Sequence, residues 1–255
     1  MFSWNEIPSR PLIIAHRGAS AEAPENTLVS FERAIRQGAD AVELDVRLTK
    51  DEAVVVIHDA TLSRTTDGRG RVSEHTLEQL KKFDAGSWFH RRYKGEYIPT
   101  LAEVLDLVDG KVGINIEIKP VVDQRTAIRI VERSLGVVKD FRAEEEVLIT
   151  SFQHLILKIV RKFNRRVTLG ILYHPLQHFG KSPVALARRY DARVIVCAHR
   201  FLRRPWVTQA HAQRIAVASY IVETKKTLSR CLQYGIRGII TNRPEEIKMF
   251  LGRNA

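Results

Sequence analysis

Short runs rich in valine and isoleucine recur along the chain. They are LIIAH (12–16), AVELDV (41–46), VGINIEI (112–118), VLITSF (147–152), VTLGILY (167–173), ARVIVCA (192–198), IAVASYIV (215–222) and GIITN (238–242). Near-continuous apolar runs of this length, bounded by polar segments, predict strands buried on both faces. Stretches with helical spacing lie between most of them. Asn26 is a predicted N-cap for a helix reaching Gln37, with Gly38 just past its end. Further helices are predicted at 101–108, 125–138, 155–163, 184–190, 207–213 and 225–234. Eight strands alternating with helices in a chain of 255 residues predict an α/β fold, a (β/α)8 TIM-type barrel forming a single domain over 1–255.

One run breaks the alternation. AVVVIHD (53–59) follows the strand AVELDV (41–46) after only the few residues RLTKDE. Parallel neighbours need a crossover of about a dozen residues or more. Residues 42–58 are therefore predicted to form a hairpin turning near Lys50 and Asp51, which returns His58 beside Leu44 and Asp45. Residues 60–99 show no strand–helix–strand unit. The whole of about 47–99 is expected to be a small insertion after the second strand, capping the barrel mouth.

Composition changes this picture little: 44% hydrophobic and 27% charged residues are ordinary for a globular chain. No apolar run is long enough to span a membrane. The N-terminal MFSWNEIPSRP has no charged lead followed by an apolar core, so no secretory signal is expected. Only two cysteines, Cys197 and Cys231, are present, which suits a reduced, cytoplasmic protein. Charge is more informative. Residues 153–222 hold 13 Lys and Arg against one acid, Asp191, and the rest of the chain is balanced at 28 of each sign. This accounts for the whole net charge of +12. A solvated surface is the plainest reading. Peripheral contact of this basic 153–222 segment with an anionic membrane is the sharper one, with FLRRPWV (201–207) as its best local stretch, and nucleic acid is the less favoured partner.

The polar residues that interrupt the apolar runs collect where a barrel places its chemistry, at the C-terminal ends of strands. His16 and Arg17 end the first run, Glu43 and Asp45 lie toward the end of the second, His58 and Asp59 end the hairpin return, and Glu117 and Lys119 end the third. Three converging carboxylates repel one another without a counter-charge. Oxygen ligands of this kind favour one hard divalent metal ion, Mg2+ or Ca2+, and no Cys/His cluster suggests structural zinc. Two histidines suit general acid–base work, and Arg17 and Lys119 supply fixed positive charge for a phosphate. Together they describe a phosphodiester hydrolase site. Asp59 reads as a supporting or turn residue, and Glu25 and Asn26 as helix-capping ones.

AHRGASAEAPENT, VELDVRLTKD, VVVIHD, YIPTLAEVL, INIEIK and GIITNRP, in this order, resemble the glycerophosphodiester phosphodiesterase family over nearly the whole chain. The resemblance implies a barrel enzyme of lipid and glycerol metabolism that hydrolyses glycerophosphodiesters to sn-glycerol 3-phosphate and an alcohol. It implies His16 and His58 as the acid–base pair, Glu43, Asp45 and Glu117 as metal ligands, and Arg17 and Lys119 as phosphate ligands. Which histidine is the base, and whether water or the glycerol 2-hydroxyl attacks, stays open at this level. So do the leaving alcohol, the native metal and the oligomeric state.

The C-terminal third departs from the family pattern. Tyr220-Ile221-Val222-Glu223 stands where the family usually has Trp-Thr-Val-Asn, Arg237 interrupts a usual Gly-Val-Asp-Gly, and Asn242 replaces an Asp. Tyr220 is expected to offer an aromatic face to substrate, and Glu223 a contact for a cationic head group. Two other readings compete: a lysophospholipase D acting on lysophospholipids at membranes, and a non-catalytic phosphate-binding barrel.

Overall fold

The computed structural model describes residues 2–4, 6 and 10–252. The expected bounds 1–255 and the N-terminal stretch fall partly on positions outside the described residues. Among the described residues nine strands form one sheet: β1 (Leu12–His16), β2 (Ala41–Leu48), β3 (Val54–Val56), β4 (Gly113–Ile118), β5 (Val147–Ser151), β6 (Thr168–Tyr173), β7 (Val194–Ala198), β8 (Ala216–Tyr220) and β9 (Gly238–Thr241). Their order is β1-β9-β8-β7-β6-β5-β4-β2-β3, and β1 also pairs with β2, which closes the sheet into a barrel. Every pairing is parallel except β2 with β3. The barrel is thus the predicted (β/α)8 fold, with β3 as the return of the predicted hairpin.

The helices are α1 (Leu28–Arg36), α2 (Leu77–Leu80), α3 (Leu101–Val108), α4 (Gln124–Asp140), α5 (His154–Phe163), α6 (Pro183–Arg189), α7 (Arg204–Ala212), α8 (Lys225–Gln233) and α9 (Pro244–Phe250). The predicted helices agree with these to within a few residues. The cap of α1 is a correction. Thr27, not Asn26, is its N-cap, and Asn26 has a left-handed backbone, φ 59°, that turns its side chain toward β2. The short α2 and the terminal α9, which opens on Pro244, are additional.

Strand alternation divides the buried residues into two sets. One face of each strand, including Ile13, Ala15, Leu44, Val46, Ile116 and Ile118, packs outward against the helices. The other fills the lumen with Leu12, Ile14, Ala41, Leu148, Leu172, Val194, Val196, Ala218 and Ile240. Trp4 closes the bottom of the lumen, donating its indole N–H to Glu146 O at 2.8 Å. At the mouth, a residue of lumen parity at a strand end points into open space above this plug.

Between β3 and α3 the chain carries α2 and two 3-10 turns, Val72–Glu74 and Arg91–Tyr93. It has its own small core of Val55, Ile57, Leu62, Val72, Leu80, Ala85 and Ile98. Tyr93 Oη and Arg92 Nη2 both donate to Glu22 O, which ties this segment to the β1–α1 loop.

The basic 153–222 segment does not form one face. Arg165 and Arg166 precede β6, Arg193 precedes β7 and Arg214 precedes β8, so they sit at the bottom of the barrel. Lys181, Arg200 and Arg203 follow β6 and β7 at the mouth. Within FLRRPWV, Phe201 packs edge-on against His174, and Trp206 leans on the barrel's outer core. Among the described residues no helix is long and apolar enough to cross a membrane.

Candidate active site

A cavity of about 200 Å3 opens at the C-terminal end of the barrel. His16, Arg17, Glu43, His58, Glu117, Lys119 and Tyr220 line it, and Asp45 lies buried just behind them. The expected histidines, carboxylates, cations and Tyr220 are brought together here. Its floor is apolar, from Phe152, Leu172, Val196 and Ile240.

The positions follow from strand parity. Glu43 and Asp45 continue the inward face of Ala41, and Glu117 and Lys119 continue that of Asn115. In register, His16 pairs with Glu43, and Asp45 with Glu117, so one layer of the barrel wall carries the whole set. Past His16 the chain must turn sharply. Arg17 and Gly18 both have positive φ, 56° and 83°, and a Cβ at Gly18 would lie 2.3 Å from Ser30 Oγ. Only glycine fits that turn without strain.

Glu43, Asp45 and Glu117 are all buried, and donor oxygens from the three lie within 4.8 Å of one another. Burial, then the neighbouring Asp45 and Glu117 charges, raises the Glu43 pKa well above the usual carboxylate range. Glu117 is raised for the same reasons, burial first and Asp45 second. Asp45 moves the other way: burial opposes ionisation, but Lys119 and Arg17 outweigh it. Lys119 Nζ lies 2.6 Å from Glu117 and 3.2 Å from Asp45, and Asn26 Nδ2 donates to Asp45 at 2.9 Å. The backbone N–H of Arg17 donates to Glu43 at 3.0 Å. An all-oxygen, buried and mutually repelling set fits a hard divalent cation. Among the described residues no other group of His, Cys, Asp and Glu is placed to hold a metal ion.

The histidines have unlike partners. His16 Nδ1 lies 2.7 Å from Asn242 Oδ1, which also accepts from Ser20 Oγ at 2.9 Å. An amide oxygen can only accept, so Asn242 places the proton on His16 Nδ1 and leaves Nε2 as the basic nitrogen. Burial, then the Arg17 charge, pushes the His16 pKa down to about 4. His58 Nδ1 lies 2.6 Å from the Asp59 carboxylate. Asp59 is itself gripped by Arg64 at 2.6 Å, and Arg64 holds Glu25 with two further hydrogen bonds. Burial would raise Asp59, but Arg64 and His58 bring it down to about 2.

Arg17 and Lys119 are less free than the sequence suggests. Arg17 Nη1 binds Glu25 at 2.8 Å and its Nε faces Asp45 at 3.2 Å, which leaves Nη2 for the cavity. Lys119 is committed to two carboxylates. Glu25 and Asn26 are not merely capping residues: one positions Arg17 and Arg64, the other Asp45. Glu223 is also a correction. It accepts from the Asn242 N–H at 2.9 Å and pairs with Arg243 at 3.4 Å, so it braces the Asn242 turn and does not line the cavity.

Asn242, Asn115 and Thr150 were not among the expected site residues. Asn115 and Thr150, linked at 3.0 Å, both line the cavity. Their signal was parity: Asn115 lies two before Glu117, Thr150 two after Leu148 and Asn242 two after Ile240, all on the lumen side.

The sequence model of the glycerophosphoryl diester phosphodiesterase family matches residues 16–246. A glycerophosphodiester phosphodiesterase of Caldanaerobacter subterraneus subsp. tengcongensis is 39% identical over 239 residues, covering 93% of this chain and 96% of its own. A putative glycerophosphodiester phosphodiesterase of Bacillus subtilis is 35% identical, with 92% and 96% covered. Among solved structures, an Oleispira antarctica phosphodiesterase in complex with the product sn-glycerol-3-phosphate superposes with a TM-score of 0.88 at 28% identity, covering 95% of this chain and 97% of that one.

Proposed function

This chain belongs to the glycerophosphoryl diester phosphodiesterase family, and we propose that it hydrolyses glycerophosphodiesters to sn-glycerol 3-phosphate and an alcohol with a divalent metal ion, Mg2+ or Ca2+, held by Glu43, Asp45 and Glu117. The observation that carries the reading is the pairing, in one cavity, of a buried carboxylate triad with two histidines of opposite partners. The bound cation supplies Lewis-acid stabilisation of the phosphoryl oxygens.

Protons are handled by the chain itself. Buried and beside the Arg17 cation, His16 stays neutral and serves as the base, its Nδ1–H held by Asn242. Its Nε2 takes the proton of the attacking hydroxyl, from water or from the glycerol 2-hydroxyl, as the new P–O bond forms; in the second case water then opens the cyclic phosphate to give sn-glycerol 3-phosphate. Burial holds the His58 pKa below its ordinary value too, but the Asp45 and Asp59 carboxylates oppose that shift, so His58 is the histidine placed to take up a proton and serve as the acid. His58 gives it to the leaving alkoxide as the P–O bond to the alcohol breaks. Arg17, through Nη2, and Lys119 grip the phosphate. Tyr220 flanks the glycerol or the alcohol. The segment after β3 caps the mouth through Arg64 and Arg92, and so holds His58 over the reacting phosphorus.

Two buried, free cysteines agree with a reducing compartment, and the cytoplasm is the proposed location. Cys197 in particular is pushed by burial to about 12, which makes it inert.

The test is product identification. Soluble glycerophosphodiesters and lysophospholipids are supplied with Mg2+, Ca2+ or EDTA, and both glycerol 3-phosphate and lysophosphatidic acid are measured. Metal-dependent release of glycerol 3-phosphate from soluble diesters is expected. Turnover of lysophospholipids alone would replace this reading with the lysophospholipase D one, and phosphate binding without turnover would favour a non-catalytic barrel.

A further inference from the structure

A second cavity, of about 300 Å3, lies beside the first, between the β2–β3 hairpin, the segment after β3 and the start of α4. Lys119 lines both. Arg47 joins them in another way: it lines the second cavity, while its Nε and Nη2 hold the carbonyl of His58 at 2.9 and 2.7 Å. The second cavity therefore begins directly behind the histidine that we assign to the leaving group.

Its walls are positive. Lys50 and Arg71 reach it from the hairpin and from the turn before Val72, and neither side chain forms an ion pair among the described residues. Arg47 spends its guanidinium on a neutral carbonyl, so its charge is also uncompensated by contact. The two acids present are already engaged. Glu52 pairs with Arg133 at 2.7 Å and Arg129 at 3.5 Å, and Asp123 caps α4 by accepting from Thr126 N at 2.9 Å. A concave site with two cations outside any ion pair, and a third, Arg47, in contact only with a neutral carbonyl, selects an anion.

We propose that this cavity is a subsite for a second anionic group, a phosphate or a carboxylate, carried by the leaving alcohol, bound by Lys50, Arg71 and Arg47. This rests on the diesterase reading and narrows it: the preferred substrates are glycerophosphodiesters whose alcohol bears negative charge, ahead of those with a neutral or cationic one. Lys50 and Arg71 are specificity residues, since they touch neither the carboxylate triad nor the histidines.

A matched pair of substrates tests it: glycerophosphoglycerol, and the same diester bearing a terminal phosphate. In the metal-supplemented full chain, kcat/KM should be higher for the phosphorylated diester and should fall with added salt. Lys50→Gln with Arg71→Gln should lower kcat/KM for that substrate by roughly tenfold, mostly through KM, and leave glycerophosphoglycerol, whose alcohol is uncharged, unchanged within twofold. An equal effect on both substrates, or none on either, overturns the subsite. A glycerate-bearing diester separates carboxylate from phosphate recognition. Should no diester be turned over with any metal, the diesterase reading fails, and calorimetric titration with inorganic phosphate decides the subsite alone. Binding that the double substitution weakens sustains it, and binding that the substitution leaves unchanged overturns it.

Discussion

Replacing Glu43 with Gln should split the stability of the protein into two opposite responses. The donor oxygens of Glu43, Asp45 and Glu117 lie within 4.8 Å of one another in a buried setting. At that separation and an effective dielectric of about 20, each like-charge pair costs ~3 kcal/mol before Arg17 and Lys119 offset it. Without metal this repulsion is a liability, and burial adds to it by raising Glu43. Gln is nearly isosteric, keeps an oxygen for the Arg17 N–H and removes one charge. Metal-free Glu43→Gln should therefore melt at or above the metal-free parent. Metal reverses the order. At about 100 times its dissociation constant, a ligand of the folded state alone adds ~2.7 kcal/mol. For a chain of this size that is a rise in Tm of roughly 5–10 °C. Thermal unfolding of parent and variant, in EDTA and in excess Mg2+ or Ca2+, reads both effects. The parent should gain the full rise and the variant less than about 2 °C. An equal rise in both, or a metal-free variant melting several degrees below the parent, would refute the assignment of Glu43 as a ligand held under charge repulsion.

Two further outcomes follow from the hydrogen-bond partners. Asn242→Ala should lower kcat by roughly 10–100-fold with KM little changed, because His16 loses the partner that fixes its tautomer, while Asn242→Asp should retain most activity. His154 is buried, donates to Leu172 O at 3.0 Å and stacks on His178, and burial pushes its pKa down to about 4. The folded chain resists protonating it, so this contribution to stability is complete above the unfolded value near 6.5 and is lost as pH falls toward 4. Urea midpoints at pH 7.5 and 5 should show a loss of up to about 2 kcal/mol in the parent from this group, and a smaller loss in His154→Gln.

The barrel was legible in the sequence because parallel strands buried on both faces leave uninterrupted apolar runs, and eight such runs alternate with helical spacing. The hairpin was legible for a related reason, since no crossover fits between Val46 and Val54. The histidines and carboxylates stood out as polar residues ending those runs. What local pattern could not give is pairing across the barrel. Asn242 meets His16 only because β9 lies beside β1, a contact between the two ends of the chain. The same holds for Glu25, which reads as a helix-start residue until Arg17 and Arg64 converge on it. Spatial grouping of the basic segment was not legible either: residues contiguous in sequence pass alternately over the mouth and the bottom, so a run of charge there is divided between two faces.

The central claim is that the carboxylate triad and His16 act together on a glycerophosphodiester. The most direct measurement is the rate of glycerol 3-phosphate release by the parent and His16→Ala, each with metal and with EDTA. Release by the parent with metal alone, lost about a thousandfold or more in EDTA and in His16→Ala, is the predicted result. Release that persists in EDTA, or in a correctly folded His16→Ala, would contradict it.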